Sequence, residues 1–145
     1  MNIQDKFYYH VTKNNFEKVK LLLQDKKLNP CYKSNVAIKY ATQNRYLEIV
    51  KLLLKDNRID PSANDNWVIR YTSEYADIEF IKFILKDKRV DPSARYNWAI
   101  QSAYHHHNFD IIELLWSDKR VKNSLENDYK ELYNKLIMKD NIKKF

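Results

Sequence analysis

LEIVKLLL, at residues 47–54, is one of four similar apolar segments in this chain. The other three are FEKVKLLL at 16–23, IEFIKFIL at 78–85 and FDIIELLW at 109–116. Each segment begins 31 residues after the one before it. A segment that returns at such a fixed period predicts a row of similar units, each burying its apolar face against its neighbours.

Further landmarks keep the same spacing of 31 residues, namely Asn29-Pro30, Asp60-Pro61 and Asp91-Pro92. Proline lacks an N–H donor and disfavours a helical residue before it, so each dipeptide ends a unit. The pattern predicts one repeat domain over residues 1–145. Its parts are an N-terminal capping repeat at 1–30, repeats at 31–61, 62–92 and 93–121, and a C-terminal capping helix with a tail at 122–145.

Each unit is predicted to contain two helices, of which the first is short. It opens at Asn35, Asn66 or Asn97, whose side-chain amide can accept a hydrogen bond from a free N–H at a helix start. Small residues inside this helix allow neighbouring units to approach closely, and these are Ala37, Ala41, Ala99 and Ala103.

The second helix of each unit is predicted to be buried on most sides. It starts after Asn15, Asp77 or Asn108, which are good N-caps, whereas Tyr46 breaks that pattern. Its polar residues form one narrow stripe that should face water, exemplified by Glu48, Lys51 and Lys55 and by Glu79, Lys82 and Lys86.

The C-terminal region is predicted to close the row of repeats with a helix that starts at Ser124. One side of that helix is apolar and comprises Leu125, Tyr129, Leu132, Tyr133, Leu136 and Ile137.

The run NVAIKYA at residues 35–41, followed by LEIVKLLL, resembles the ankyrin repeat, and the resemblance extends over about residues 1–121. It implies an all-α, ankyrin-like helix-turn-helix solenoid with degenerate or short β-hairpin loops. The loops Asp60-Pro61-Ser62-Ala63 and Asp91-Pro92-Ser93-Ala94 look like those of ankyrin-type repeats multiplied in giant DNA viruses of the mimivirus kind.

The sequence departs from the ankyrin pattern at several positions. Where the family carries Thr and His, this chain has Val36, Trp67 or Trp98 and Lys39, Arg70 or Gln101. The usual glycines are replaced at the hairpin tip and after the second helix, for instance by Asp65, Tyr96, Asn57 and Lys88. Because left-handed backbone costs a non-glycine residue roughly 1 kcal/mol, a tightened loop is expected in place of a well-formed hairpin.

Composition argues against nucleotide-binding enzymes. The chain has no glycine, which removes phosphate-binding loops, dinucleotide fingerprints and nucleophile elbows. Cys31 is the only cysteine, so no internal disulfide can form. No apolar segment is long enough for a membrane span or a signal peptide. We therefore expect a non-enzymatic protein of the cytoplasm, of the host cell if the source is viral, without a cofactor.

The resemblance implies that a protein partner binds at the loop tips and along the exposed side of the first helices. Position by position, the tip residues are Lys33, Ser34, Asn64, Asp65, Arg95 and Tyr96. The helix-end residues are Gln43, Asn44, Glu74, Tyr75, His105 and His106. Tyr75, Arg95 and Tyr96 are the best anchors, because tyrosine and arginine combine large area with polar tips. Trp67 and Trp98 are expected to pack in the core or staple the loops rather than stack on a ligand.

The run His105-His106-His107 suggests a metal site, but consecutive helical residues point about 100° apart and cannot converge on one ion. Surface histidines are therefore favoured and no metal is predicted. A weak site that also uses Asp110 and Glu113 is left open.

The net charge of +7 is concentrated at the ends of the chain. Residues 1–33 have seven lysines and three acids, residues 119–145 have eight basic and four acidic residues, and residues 34–118 have eleven and twelve. The neutral middle favours a monomeric scaffold for a protein partner, with nucleic acid as a poor candidate. The alternative is an electrostatic binder of nucleic acid or another polyanion through the basic ends.

Overall fold

The computed structural model describes residues 1–75, 77–128 and 130–142. The regular secondary structure of these residues is helical, without a β-strand, so the predicted all-α class is confirmed. The chain forms two compact units, unit 1 at Met1–Val68 and unit 2 at Ile69–Phe145. Among the described helices, none is long and apolar enough to cross a membrane.

Unit 1 is built from two helix pairs. The helices are α1 (Ile3–Thr12), α2 (Phe16–Leu23), α3 (Tyr32–Gln43) and α4 (Leu47–Leu54), and the unit ends within α5 (Ala63–Glu74). First helix packs on first helix, α1 on α3, and second on second, α2 on α4. Between the helices lies a buried apolar core that includes Phe7, Val11, Val19, Ala37, Ala41, Ile49 and Leu53.

Unit 2 continues with α6 (Ile78–Ile84), α7 (Ala94–His105), α8 (Phe109–Trp116), α9 (Lys119–Asp128) and α10 (Lys130–Ile142). α7 and α8 form the helix pair, α6 packs on α8, and α9 packs on both members of the pair and on α10. The small residues Ala99 and Ala103 are fully buried, as the predicted close packing requires.

The prediction of a helix start at Ser124 is wrong. α9 begins at Lys119, so Ser124 lies inside this helix. Val121 and Leu125, four residues apart on one side of α9, are fully buried, and Asp118 accepts a hydrogen bond from the Arg120 N–H at 2.8 Å. Burial of this pair requires the helix to begin before Val121. Of the predicted apolar side, Tyr129 and the side chain of Ile137 lie outside the described residues.

The predicted caps of the second helices form the expected side-chain hydrogen bond in two of three cases. The Asn15 and Asp77 side chains accept hydrogen bonds from the N–H groups of Lys18 and Phe80, each at 3.1 Å. Asn108 is the N-cap residue of α8, as predicted, but its side chain makes no such bond. Tyr46 does not cap α4 through its side chain either, as expected.

The polar stripe of the second helices faces water, as predicted. Lys51 pairs with Glu48 and Lys82 with Glu79, each at 2.8 Å and one helical turn apart. Exposed pairs of this kind contribute only a few tenths of a kcal/mol each.

The turn between the two helices of a pair contains a residue with left-handed backbone, which is Asn14, Arg45 or His107. The N–H of the next residue closes the turn onto the first helix, as Tyr46 does by donating to the Ala41 carbonyl at 2.8 Å. Asn57 and Lys88, expected at glycine positions, have no positive φ. Left-handed backbone therefore occurs in the turns within the pairs α1–α2, α3–α4 and α7–α8, and not at Asn57 or Lys88 after the second helix.

Candidate functional site

Each loop tip contains three consecutive residues with left-handed backbone, at φ angles between 50° and 63°. The three tips are Lys33–Asn35, Asn64–Asn66 and Arg95–Asn97. The expected loop without strands is found, but the reason given for it is wrong. Residues other than glycine occupy the left-handed region, at a cost of about 1–2 kcal/mol each and less for Asn and Asp.

Hydrogen bonds hold these strained tips in place. Within unit 1 the Asp60 carboxylate accepts from the N–H and hydroxyl of Ser62, at 2.9 and 2.6 Å. Within unit 2 Asp91 accepts from Ser93 at the same two distances. The last residue of each tip then donates its N–H to the carbonyl four residues back, as Asn97 does to Ser93 at 2.8 Å. The Asp-Pro-Ser loops thus stabilise the backbone of the tips that follow them.

The asparagine that ends each tip was predicted to cap the first helix. This prediction is wrong for Asn35 and Asn97, because neither Oδ1 atom accepts a hydrogen bond within the described part of the chain. Asn97 is fully buried and donates instead, from Nδ2 to the Ser124 hydroxyl at 2.8 Å.

In unit 1 the predicted partner-binding residues are exposed, and they are Lys33, Gln43, Asn44, Asn64 and Asp65. The Lys33 ammonium lies 5.3 Å from the ring centroid of Tyr32. At the end of α3, Asn44 is tied to its own helix, since Nδ2 donates to the Tyr40 carbonyl at 2.9 Å.

In unit 2 the three predicted anchors are all on the surface. The side chains of Tyr75 and Tyr96 are 54% and 71% exposed, and Arg95 is exposed beside Tyr96. The Tyr75 ring lies 4.6 Å from that of Tyr71, centroid to centroid. Burial and the hydrogen bond with Tyr75 raise the pKa of the Tyr71 phenol. Glu74, the remaining helix-end residue of α5, is half-buried.

Trp98 was predicted to pack in the core or staple a loop; it is 51% exposed, so packing in the core is wrong. The residues three and seven positions further along α7 are Gln101 and His105, so all three share one side of the helix. Gln101 donates from its side-chain amide to the Tyr96 carbonyl. The tip and the outer side of α7 are therefore one connected surface.

The three consecutive histidines engage three different neighbours. The His105 ring lies 6.3 Å from that of Tyr104, and the His107 ring lies 6.2 Å from that of Phe109. His106, exposed like His105, places Nδ1 2.8 Å from the Ser102 carbonyl oxygen. No group of three or more His, Cys, Asp or Glu side chains in the described ranges could hold a metal ion.

A repeated structural element was missed in the sequence, although its spacing of 31 residues is visible there. We call it the Asp-Arg corner, formed by Asp56–Arg58, Asp87–Arg89 and Asp118–Arg120. The ion pairs measure 2.6, 2.7 and 2.7 Å. Hydrogen bonds from the arginine, together with its charge, lower the pKa of each aspartate.

The arginines of two corners, Arg58 and Arg120, also bind backbone carbonyls of the preceding repeat. In unit 1 Arg58 donates to the carbonyl oxygens of Leu23, Asp25 and Leu28 at 2.6, 3.2 and 2.9 Å. In unit 2 Arg120 donates to that of Val90 at 2.8 Å. The guanidinium group of arginine has five N–H donors and can bond to the carbonyl groups that have no partner at the end of a helix. These two arginines therefore join consecutive repeats within each unit.

Cys31 is a structural residue of the same region. Its thiol donates to the Arg58 carbonyl at 2.9 Å, and burial raises the pKa of the thiol. A raised pKa lowers the thiolate fraction, which is the reactive form of cysteine.

Comparison with known proteins agrees with this architecture. Residues 4–65 match a family model described as ankyrin repeats (3 copies). This part of the chain is similar to ankyrin repeats. The matched residues lie within unit 1 and include α1 to α4, and α7 and α8 repeat the same helix pair in the register of 31 residues. No match was found among curated proteins or among solved structures.

Proposed function

We propose that this chain is a scaffold that binds a protein partner, with the main contact on the tip and outer helix side of unit 2. Ankyrin repeats are generally protein–protein interaction modules and typically non-enzymatic. The proposal is supported by one observation above all, the exposure of Tyr96 and Trp98 next to Arg95. Trp, Tyr and Arg are the residue types that dominate binding energy at protein interfaces.

Rigidity of the tip supports the same proposal. The backbone of Arg95–Asn97 is held by the Asp91–Ser93 loop below it and by the Gln101 side chain beside it. A surface that is already ordered before binding loses less conformational entropy when a partner docks. Large aromatic side chains on a fixed backbone therefore form a suitable docking surface.

The cellular setting is part of the proposal. The resemblance of the Asp-Pro-Ser loops to those of giant DNA viruses supports a viral source, a host protein as the partner and the host-cell cytoplasm as the location. In that setting the protein acts as a monomer.

Site-specific photocrosslinking tests where the partner binds. A photoreactive phenylalanine replaces Tyr96 in one variant and Lys86, on the exposed stripe after α6, in a control. We expect a crosslinked partner from position 96 and none from position 86. The partner is then identified by mass spectrometry and purified.

Replacement of Tyr75, Arg95 and Tyr96 together by alanine should weaken binding of the purified partner at least about a hundredfold, since hot-spot residues contribute 2 kcal/mol or more. Equal crosslinking at both positions, or unchanged affinity, would contradict the proposal.

The basic ends support a second candidate, an electrostatic binder of polyanions. All seven lysines in residues 1–33 are exposed, and none of them forms an ion pair with a described residue. The salt dependence of the binding affinity distinguishes the two candidate functions. Affinity for the partner should persist as the salt concentration rises from about 50 to 200 mM, whereas phosphate-dominated binding would fall by orders of magnitude.

A further inference from the structure

A cleft of about 200 Å³ lies between α7 and α10 in unit 2. Its wall on α7 is formed by Gln101, Tyr104 and His105, and its wall on α10 by Glu131, Leu132 and Lys135. α10 is an addition to the helix pairs of the repeats, so no residue pattern of the repeats predicts this cleft. His105 and Gln101 also belong to the outer side of α7 that carries Trp98.

The volume of the cleft limits its occupant to one ring. A cavity of about 150 Å³ lined by apolar side chains holds a benzene molecule. Pockets for cofactors and drug-sized ligands measure about 300–1,000 Å³. A single aromatic side chain therefore fits the cleft, and a cofactor does not.

The chemistry of the walls favours a ring with a polar end. Leu132 and the Tyr104 ring are the apolar parts of the lining. The Tyr104 hydroxyl and the His105 ring nitrogens have no hydrogen-bond partner among the described residues, so both can bond to an incoming group. A phenol or an indole combines an apolar ring with such a group.

The charges favour a carboxylate beside that ring. α7 contains no acidic residue. Among the described residues that line the cleft, Glu131 is the only carboxylate, and it pairs with Lys135 at 2.7 Å. The Lys135 ammonium has three hydrogen-bond donors and uses one of them on Glu131, so it can also bind a carboxylate at the edge of the cleft.

We infer that the cleft between α7 and α10 receives one aromatic side chain of a partner polypeptide, with an acidic residue next to it in that partner. The inference rests on the proposed function and deepens it. α10 thereby extends the docking surface beyond the repeats and makes it selective for an aromatic-acidic sequence.

Small probes test the cleft without knowledge of the partner. The full chain, labelled with ¹⁵N, is titrated with 4-hydroxyphenylacetate, which carries a phenol and a carboxylate, and separately with acetate. We expect saturable shifts at millimolar probe in the amides of residues 101–105 and 130–135, and none with acetate. Absence of these shifts, or shifts of equal size around Phe109, where the unit has a separate open groove, overturns the inference.

Variants sharpen the result. Leu132→Ala should weaken the probe about tenfold, because it removes an apolar wall, and Phe109→Ala is the matched control that leaves affinity unchanged. If Leu132→Ala does not fold, as judged by circular dichroism, Lys135→Glu at an exposed position replaces it. That variant should weaken 4-hydroxyphenylacetate but not p-cresol, which lacks the carboxylate, and equal effects on both probes overturn the charge assignment. Crosslinking from position 96 is independent of the probe, so failure of the inference and failure of the proposed function are distinguishable.

Discussion

The Asp-Arg corners and the loop tips recur with the same period but repeat in different ways. In the corners the side chains themselves return, Asp and Arg each time, and their polar groups bond to the chain. In the tips the left-handed backbone and the final asparagine return, while the first two side chains change from Lys33 and Ser34 to Asn64 and Asp65 and to Arg95 and Tyr96. Side chains that repeat join the repeats, whereas side chains that vary on a constant backbone give each tip a different surface.

The largest effect that tests this contrast is expected from Arg58→Ala in unit 1. The change removes three hydrogen bonds to carbonyls and leaves Asp56 without its arginine. We expect the free energy of unfolding, measured by urea denaturation, to fall by about 2 kcal/mol. Lys55→Ala, at an exposed position nearby, should change it by less than about 0.5 kcal/mol. Equal effects would mean that the corner does not join the repeats.

Acid should weaken the corners next. The folded-state pKa values of Asp56, Asp87 and Asp118 lie below the ordinary value of 3.8. A lowered pKa means that the stabilisation is complete above about pH 4 and is lost as the pH falls through the folded-state values. Each of these partly exposed pairs contributes at most about 1 kcal/mol. In urea denaturation at a series of pH values, the free energy of unfolding should fall less steeply with decreasing pH for Asp87→Asn than for the original protein. An unchanged pH dependence would exclude a role for that corner.

A smaller effect, an increase in the free energy of unfolding, is expected from a substitution at the tip of unit 2. Tyr96→Gly relieves the left-handed strain at φ 59°. The free energy of unfolding should rise by about 0.5–1 kcal/mol, since part of the relief is offset by the greater entropy of glycine in the unfolded chain. Binding of the crosslinked partner should weaken in the same variant. If Tyr96→Gly lowers the free energy of unfolding and leaves the affinity for the partner unchanged, Tyr96 has a structural role and not a binding one.

The smallest effect is expected on the solvent stripe of α6. Lys82→Ala removes the exposed pair with Glu79 and should lower the free energy of unfolding by about 0.3 kcal/mol. High salt should abolish the difference between this variant and the original protein, because exposed pairs are screened. A loss above about 1 kcal/mol would show that this stripe belongs to a packed surface.

Sequence reasoning identified what depends on periodicity. The order of helix pairs, the buried alanines and the water-facing stripe follow from burial of one face at a period of 31 residues, and the structure agrees with each of them. The candidate residues Tyr75, Arg95 and Tyr96 are exposed for the same reason, because equivalent positions in a repeat meet equivalent surroundings. The corners could have been found by the same method.

Features outside the repeat pattern could not be found in this way. Ser124 was assigned to a helix start because its residue type suits a cap, but burial of Val121 and Leu125 sets the start of α9 earlier. Trp98 was assigned to packing because Trp67 stands at the same register position. The exposure of Trp98 depends on which neighbouring elements cover it in the folded protein, and the residue type alone does not determine this.

The amino-acid sequence by itself determined that this chain forms paired helices at a period of 31 residues, since apolar residues that recur at a fixed spacing are buried between neighbouring units. Only the tertiary structure decided which polar groups meet. It brought Arg58 to the carbonyls of the preceding repeat, turned Trp98 outward and placed α10 across a cleft from α7. These contacts join residues about 25 to 35 positions apart, and their geometry depends on how whole helices pack rather than on any local pattern.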